Sequence, residues 1–546
     1  MGKTNGLYLG GFLLALFGVL LGLSLARGGL YIGKHEGDAL HLMQIVMREA
    51  RGQWPHLDFQ TPIGVMATAP IVLFLWLGTG AGHAFLYAQG LVALIALPAI
   101  WWVSVSRFRG AQSYLFGGFV LALILALIYG GTERSISISM HYNRWAWAFS
   151  YLAIALAMMP RIDERRVSAP EGAVIGIALA MLALIKVTFF AAFILPIMIA
   201  LIGRRAWPAL LVSVATGLLV ALIVTLLAGT PNFWLAYLQD LLLVSHSAVR
   251  VQPGYSLATT IGAPAFIGGS LALIAGVIAL RQAGAQLEGL VLLLLVPGFF
   301  YVTYQNYGND PQWLILFGLI ILGLRPAQIL RNGLGWDLRA GMGVLAVMAL
   351  SFALPSLTNI LFSPFRHFGS EEAKFETFFP GNPIFADFMG YTSRSRRVRA
   401  TIDLDAPGAV FAAYADEGEQ SEITTWQGEP LPSCKIDPGY ISLNLMIRDA
   451  LEAAGVAADA TLYTADVVGG LWLYGYTEPL PSAAPWYYGG LPGFDGADYL
   501  VVPLCPILDK ARRLNLEAIE ESGAALTEIT RNEVFILYAK SGAGNS

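Results

Sequence analysis

Apolar residues along the first two-thirds of the chain come in continuous runs rather than in alternation with polar ones. Many of these runs approach 20 residues, the length that crosses a hydrocarbon core of about 30 Å as a helix. Twelve can be marked, at about 7–27, 62–80, 83–104, 111–131, 144–160, 171–186, 188–203, 207–229, 256–280, 287–304, 312–324 and 340–360. Beyond about residue 360 the runs stop. Short β-rich stretches at 409–414, 461–468, 499–504 and 534–538 predict strands there, and 443–454 and 507–522 predict helices. The pattern therefore predicts a polytopic α-helical membrane protein over 1–360 and a soluble α/β domain with a partly parallel sheet over 361–546.

Basic residues then assign sides. Lys3, Arg107 with Arg109, Arg161 with Arg165 and Arg166, Arg204 with Arg205, Arg281, and Arg325 with Arg331 and Arg339 mark cytoplasmic ends. Lys3 and Arg107 can share a side only if one of the first three runs fails to cross. The weakest is 62–80, which opens on Thr61-Pro62 and carries Gly64, Pro70, Gly78 and Gly80. Placed at the membrane surface or in a re-entrant turn, it leaves about eleven transmembrane helices. The N-terminus is then cytoplasmic, while the 28–61 loop and the C-terminal domain lie outside, periplasmic for an inner-membrane protein. No small-residue cleavage site follows the first run, which reads as a retained helix.

Composition narrows the class. With 56% hydrophobic and only 13% charged residues, against about 25% charged in soluble proteins, the chain is no ordinary soluble enzyme. A formal charge of −4 and the lack of a basic patch argue against nucleic acid as a partner. The two cysteines, Cys434 and Cys505, fall in the soluble portion, where a disulfide and two buried thiols are both open.

Candidate chemistry gathers on the outer side. The first external loop carries Glu36, Asp38, His41 and Asp58, with an amphipathic stretch between them that suits an interfacial helix, Arg48 and Arg51 facing water or lipid phosphates. A carboxylate at that height can take a proton from an acceptor hydroxyl; Asp38 could equally start the helix as a cap. Residues 172–202 read as a hairpin of two short helices with Lys186 at its outer turn, where the ammonium either serves a function or snorkels to headgroups. Arg134, Arg144, Lys186 and Arg250 are outward cations, and phosphate is their simplest shared ligand. His41, His141, Tyr142, Asn143, Gln305, Asn306, Asn309 and Asp310 are candidate substrate contacts on the same side. Trp486, in the turn-rich stretch 480–490, belongs to a sugar- or acceptor-binding rim or to an ordinary packing element. The C-terminal domain has no phosphate loop, metal-ligand spacing or nucleophile elbow.

Glu36-Gly37-Asp38 through Gly52, then Asp58-Phe59-Gln60-Thr61-Pro62 and a non-crossing segment, resembles the first external loop of GT-C class membrane glycosyltransferases, the group that includes aminoarabinose transferases and protein O-mannosyltransferases. Ala183-Leu184-Ile185-Lys186-Val187-Thr188 is similar to a Leu-Thr-Lys-Gly-like turn in that class, with Val187 in place of the glycine. The resemblance covers residues 1–360. It implies a polyprenyl-phosphate sugar donor whose phosphate meets Lys186, and a first-loop carboxylate as base. Asp38 comes first for that role; Glu36 and Asp58 remain open, because the usual Asp-Glu pair is here Glu-Gly-Asp. The acceptor would be an external glycan, lipid or protein hydroxyl. A divalent cation between phosphate and carboxylate is compatible with this set, although the sequence specifies no cofactor. The rival readings are a transporter or flippase of a lipid-linked substrate, and a glycan polymerase or ligase.

Overall fold

A computed structural model describes residues 4–130, 132–249, 255–305, 310–402, 412–417, 423–432 and 434–540. Its first 368 residues are overwhelmingly helical. Six helices are long and apolar enough to cross a membrane: Gly6–Ala26, Ala81–Arg107, Trp207–Ala228, Pro264–Gln282, Gln286–Gln305 and Leu338–Phe368. Shorter apolar helices, Ala111–Leu125, Ala169–Ile185, Val187–Gly203 and Trp313–Gly323, pack among them, as does His141–Met158. Trp207–Ala228 shows why the surroundings are lipid: Leu211, Leu218 and Leu226 are 69%, 65% and 71% exposed, a face that water would not tolerate. The protein is thus a membrane-embedded helical protein.

Small residues set the close approaches. A Cβ on Gly172 or Gly176 would lie 2.3 Å from the carbonyl oxygen of Ala209 or Ser213, so a small-xxx-small face draws helices 169–185 and 207–228 together. The segment 62–80 yields only a single turn at Val65–Ala67 and the helix Ala69–Trp76. Eight residues rise about 12 Å, well short of the hydrocarbon thickness. At one end of the bundle Arg107 and Arg161 share the Glu171 carboxylate at 2.7 and 3.1 Å, and Arg204 pairs with Glu288 at 2.7 Å. Lys186 lies at the other end of the helix that Glu171 begins.

The last membrane helix runs through the expected boundary at 360 to Phe368. Past it, strands Leu526–Arg531, Phe535–Lys540, Tyr499–Pro503 and Leu462–Thr464 form a four-stranded sheet in that order, the last pair parallel. Helices Tyr440–Ala453 and Asp509–Ser522 accompany the sheet. The polar, largely exposed strand 526–531 carries no apolar alternation that sequence could detect. Of the strand expected at 409–414, residues 409–411 lie outside the described ones and Ala412–Glu417 is a 3-10 turn. Cys434 and Cys505 are joined as a disulfide.

The C-terminal portion is not a free appendage. Leu30–Ile32, from the first loop, pairs in parallel with Phe388–Tyr391, itself antiparallel to Phe375–Thr377. The loop helix Glu36–Ala50 is covered by this portion: Leu40 and Met43 share one apolar cluster with Tyr440, Val468 and Trp472. Arg48, expected to face water or lipid, is consequently buried, and Arg51 pairs with Glu478 at 2.8 Å. A helix capped from above has no free polar face.

Candidate functional site

The loop helix begins at His35, whose backbone is left-handed (φ 63°), and places Glu36 and Asp38 in its first turn. Carboxylates there meet the positive end of the helix dipole. Glu36 is taken by Arg394 in a two-point ion pair, the Nη2–Oε2 arm at 3.0 Å. Asp38 accepts the Ser139 hydroxyl at 2.5 Å. Burial raises the Asp38 pKa and the Ser139 bond lowers it, burial being the larger effect. Such a carboxyl is a better proton acceptor than a solvated one.

Lys186 breaks the hairpin between Ile185 and Val187 in extended backbone (φ −155°, ψ 103°). Its ammonium donates to Asn143 Oδ1 at 2.9 Å and lies 5.4 Å from the Tyr142 ring centre. Ser139 and Asn143 are four residues apart, at the turn that opens helix 141–158. At most about 14 Å of chain separates them even when fully extended. One short stretch therefore holds both Asp38 and Lys186.

The Lys186 turn is braced by the non-crossing segment. Gly64 N–H donates to the Ile185 carbonyl at 3.2 Å. Tyr237 donates its hydroxyl to the Ala183 carbonyl at 2.9 Å, and its ring stacks on His56 at 4.3 Å. His56 Nδ1 contacts Asp240 Oδ2 at 2.8 Å, and Thr61 N–H donates to the same oxygen at 3.0 Å. His56 and Asp240 belong to separate segments of the sequence. Their 184-residue separation leaves no local signal that they meet.

The other candidates divide. Arg144, expected to face a phosphate, is buried and donates to the backbone carbonyls of Ile128 and Ala126, the latter at 3.1 Å. Arg134 is exposed, and its carbonyl accepts from Arg366 at 3.1 Å. Exposed Asp58 closes its own turn by accepting the Trp54 N–H at 2.6 Å. His141 is buried, with Nε2 2.9 Å from the Ala67 carbonyl and its ring against Phe85 and Trp145. Gln305 donates to the Tyr301 hydroxyl at 2.7 Å, and Asp310 accepts from Ser356 at 2.5 Å. Trp486 lies 5.6 Å from His41, whose burial pushes it down to about 4 and whose Nε2 has no partner among the described residues. Arg250, Asn306 and Asn309 lie outside the described residues.

Among the described residues no group of three or more His, Cys, Asp and Glu side chains is placed to hold a metal ion. Against known proteins, no family model matches the chain, and neither a curated protein nor a solved structure gives a significant match.

Proposed function

We propose that the chain is an inverting glycosyltransferase that moves a sugar from a polyprenyl-phosphate carrier to a hydroxyl of an external glycan, lipid or protein. One observation carries the reading: Asp38 and Lys186 are held by a single short stretch, Ser139–Asn143. A proton acceptor and a cation anchored on one short stretch are the two groups that a single displacement on a glycosyl phosphate needs. Asp38 takes the acceptor proton as the acceptor oxygen attacks the anomeric carbon. The bond from that carbon to the phosphate oxygen breaks, the lipid phosphate leaves, and Lys186 offsets its growing charge. Asp38 is preferred to Glu36, which Arg394 occupies, and to Asp58, which serves its own turn.

About eleven crossings, with the N-terminus in the cytoplasm and the Asp38 face outside an inner membrane, complete the proposal. The arginine cluster at the opposite end and the disulfide in the C-terminal portion support that polarity.

The test is release of polyprenyl phosphate from labelled donors by the purified chain in liposomes. Release that Asp38→Asn and Lys186→Met each reduce, with folding retained, supports the reading. Movement of intact donor across the bilayer without cleavage points to a transporter. Turnover confined to diphosphate-linked donors points to a polymerase or ligase.

A further inference from the structure

Helix Glu36–Ala50 carries a second polar centre ten residues from Asp38, a rise of about 15 Å along the axis. Arg48 is only 2% exposed. Its Nη1 donates to Gln53 at 3.1 Å, and its Nε is buried with no partner among the described residues. Phe59 and Trp472 flank the guanidinium at 5.8 and 5.7 Å. Among the described residues no carboxylate pairs with it. Buried arginines are almost always paired, because an uncompensated charge away from water is costly.

The indole Nε1 of Trp472 is a second buried donor with no partner among the described residues. Arg48 and Trp472 line the same cavity of about 60 Å³, together with Gln44, Thr464 and Tyr487. At about 10–15 Å³ per water, that volume has room for roughly four to six waters, and so for an acid group. Two carboxylates also line it, and both are engaged. Asp466 accepts the N–H groups of Ile507, Val467 and Leu508 at 2.6, 2.7 and 3.1 Å, and Glu478 pairs with Arg51. Burial and the Arg51 charge push Arg48 down to about 10, so it remains a cation at neutral pH.

We infer that this cavity is an anion-binding subsite in which Arg48 and the Trp472 indole N–H receive the carboxylate or phosphate of an acidic saccharide. Leu480, Ala483, Ala484 and Tyr487 form the apolar part of the cavity wall, against which the carbon skeleton of that saccharide would pack. That the anion is carried by a saccharide acceptor rests on the transfer reading; that the cavity takes an anion does not.

The experiment uses the full chain in lipid nanodiscs and calorimetric titration with glucuronate, glucose 6-phosphate, glucose and inorganic phosphate. Saturable binding of an acidic sugar, about tenfold or more tighter than glucose, is expected from one charge-assisted contact. Arg48→Gln should lose it. Trp472→Phe keeps an aromatic side chain while removing the indole N–H together with its five-membered ring, and should weaken binding severalfold, which preserves the test if Arg48→Gln fails to fold. Preference between glucuronate and glucose 6-phosphate identifies the acid. Inorganic phosphate binding as tightly as glucose 6-phosphate overturns the saccharide assignment. No saturable binding by the wild type, or full affinity in either folded variant, overturns the subsite. Since no donor or turnover enters the assay, a chain inactive in sugar transfer still reports on this cavity.

Discussion

Ser139 donates its hydroxyl to Asp38 over 2.5 Å, across 101 residues of chain. The bond opposes burial, which lifts the Asp38 pKa while Ser139 lowers it. A general base works only when deprotonated, so under the proposed role transfer should fall as pH falls through the folded-state pKa of Asp38. Ser139→Ala removes the lowering influence, and the acid limb of the pH–rate profile should move to higher pH while the alkaline limb stays. Asp38→Asn should cost roughly 10²–10⁴-fold in rate. A Ser139→Ala profile superimposable on the wild type would remove Asp38 from the role.

Glu36 tests the same assignment from the other side. Its carboxylate is engaged by Arg394, with side-chain exposures of 9% and 29% for the pair, so it joins the start of the loop helix to the C-terminal portion. Arg394→Met leaves a mostly buried carboxylate unpaired, at a cost on the order of 1–3 kcal/mol, and should lower the thermal midpoint. Glu36→Gln should retain transfer within severalfold of the wild type. Inactivity equal to that of Asp38→Asn would reverse the two roles.

The contrast between these carboxylates shows what could be read from sequence and what could not. Apolar runs carried the membrane helices, since a run such as 207–228 has one physical solution whatever surrounds it. The failure of 62–80 to cross was legible too, because proline and glycine interrupt it and charge must balance. Partners were not legible. Arg48 and Arg144 read as outward cations, and both turn inward, one beneath Trp472 and one onto backbone carbonyls. Those destinations depend on chain hundreds of residues away, or on carbonyls left open where helix 111–125 ends. Asp38, Lys186 and Asn143 were visible as candidate types; Ser139, and the pairing of Asp38 with Ser139 and of Lys186 with Asn143, were visible only in the fold.

Glu49 is a second buried carboxyl of the loop helix. It is 6% exposed, accepts the Thr68 hydroxyl at 2.6 Å, and is pushed by burial up to about 8. Its folded pKa therefore lies above its unfolded one. Between about pH 4.3, the unfolded glutamate value, and pH 8 the folded chain holds a proton that the unfolded chain has released. The stability tied to that proton is full below the unfolded pKa and is lost as pH rises through the folded one. Glu49→Gln cannot titrate, so its thermal midpoint should fall less between pH 5 and pH 9 than that of the wild type. Parallel curves for the two proteins would mean that Glu49 stays ionised in the fold.

The Cys434–Cys505 disulfide closes a loop across 71 residues, and it ties strand Cys434–Pro438 to the residue that follows strand Tyr499–Pro503 by two positions. Chain-entropy arguments assign such a loop about 4 kcal/mol. Reduction, or Cys434→Ser with Cys505→Ser, should therefore lower the unfolding midpoint of the C-terminal portion while the membrane helices melt as before. The same pair reports the side of the membrane. In intact cells the thiols should resist a maleimide until a reductant is added, and a membrane-impermeant maleimide should then label them once denaturant opens the C-terminal portion. Labelling that requires disruption of the membrane would place the C-terminal portion, and with it the Asp38 face to which strand 388–391 binds it, in the cytoplasm.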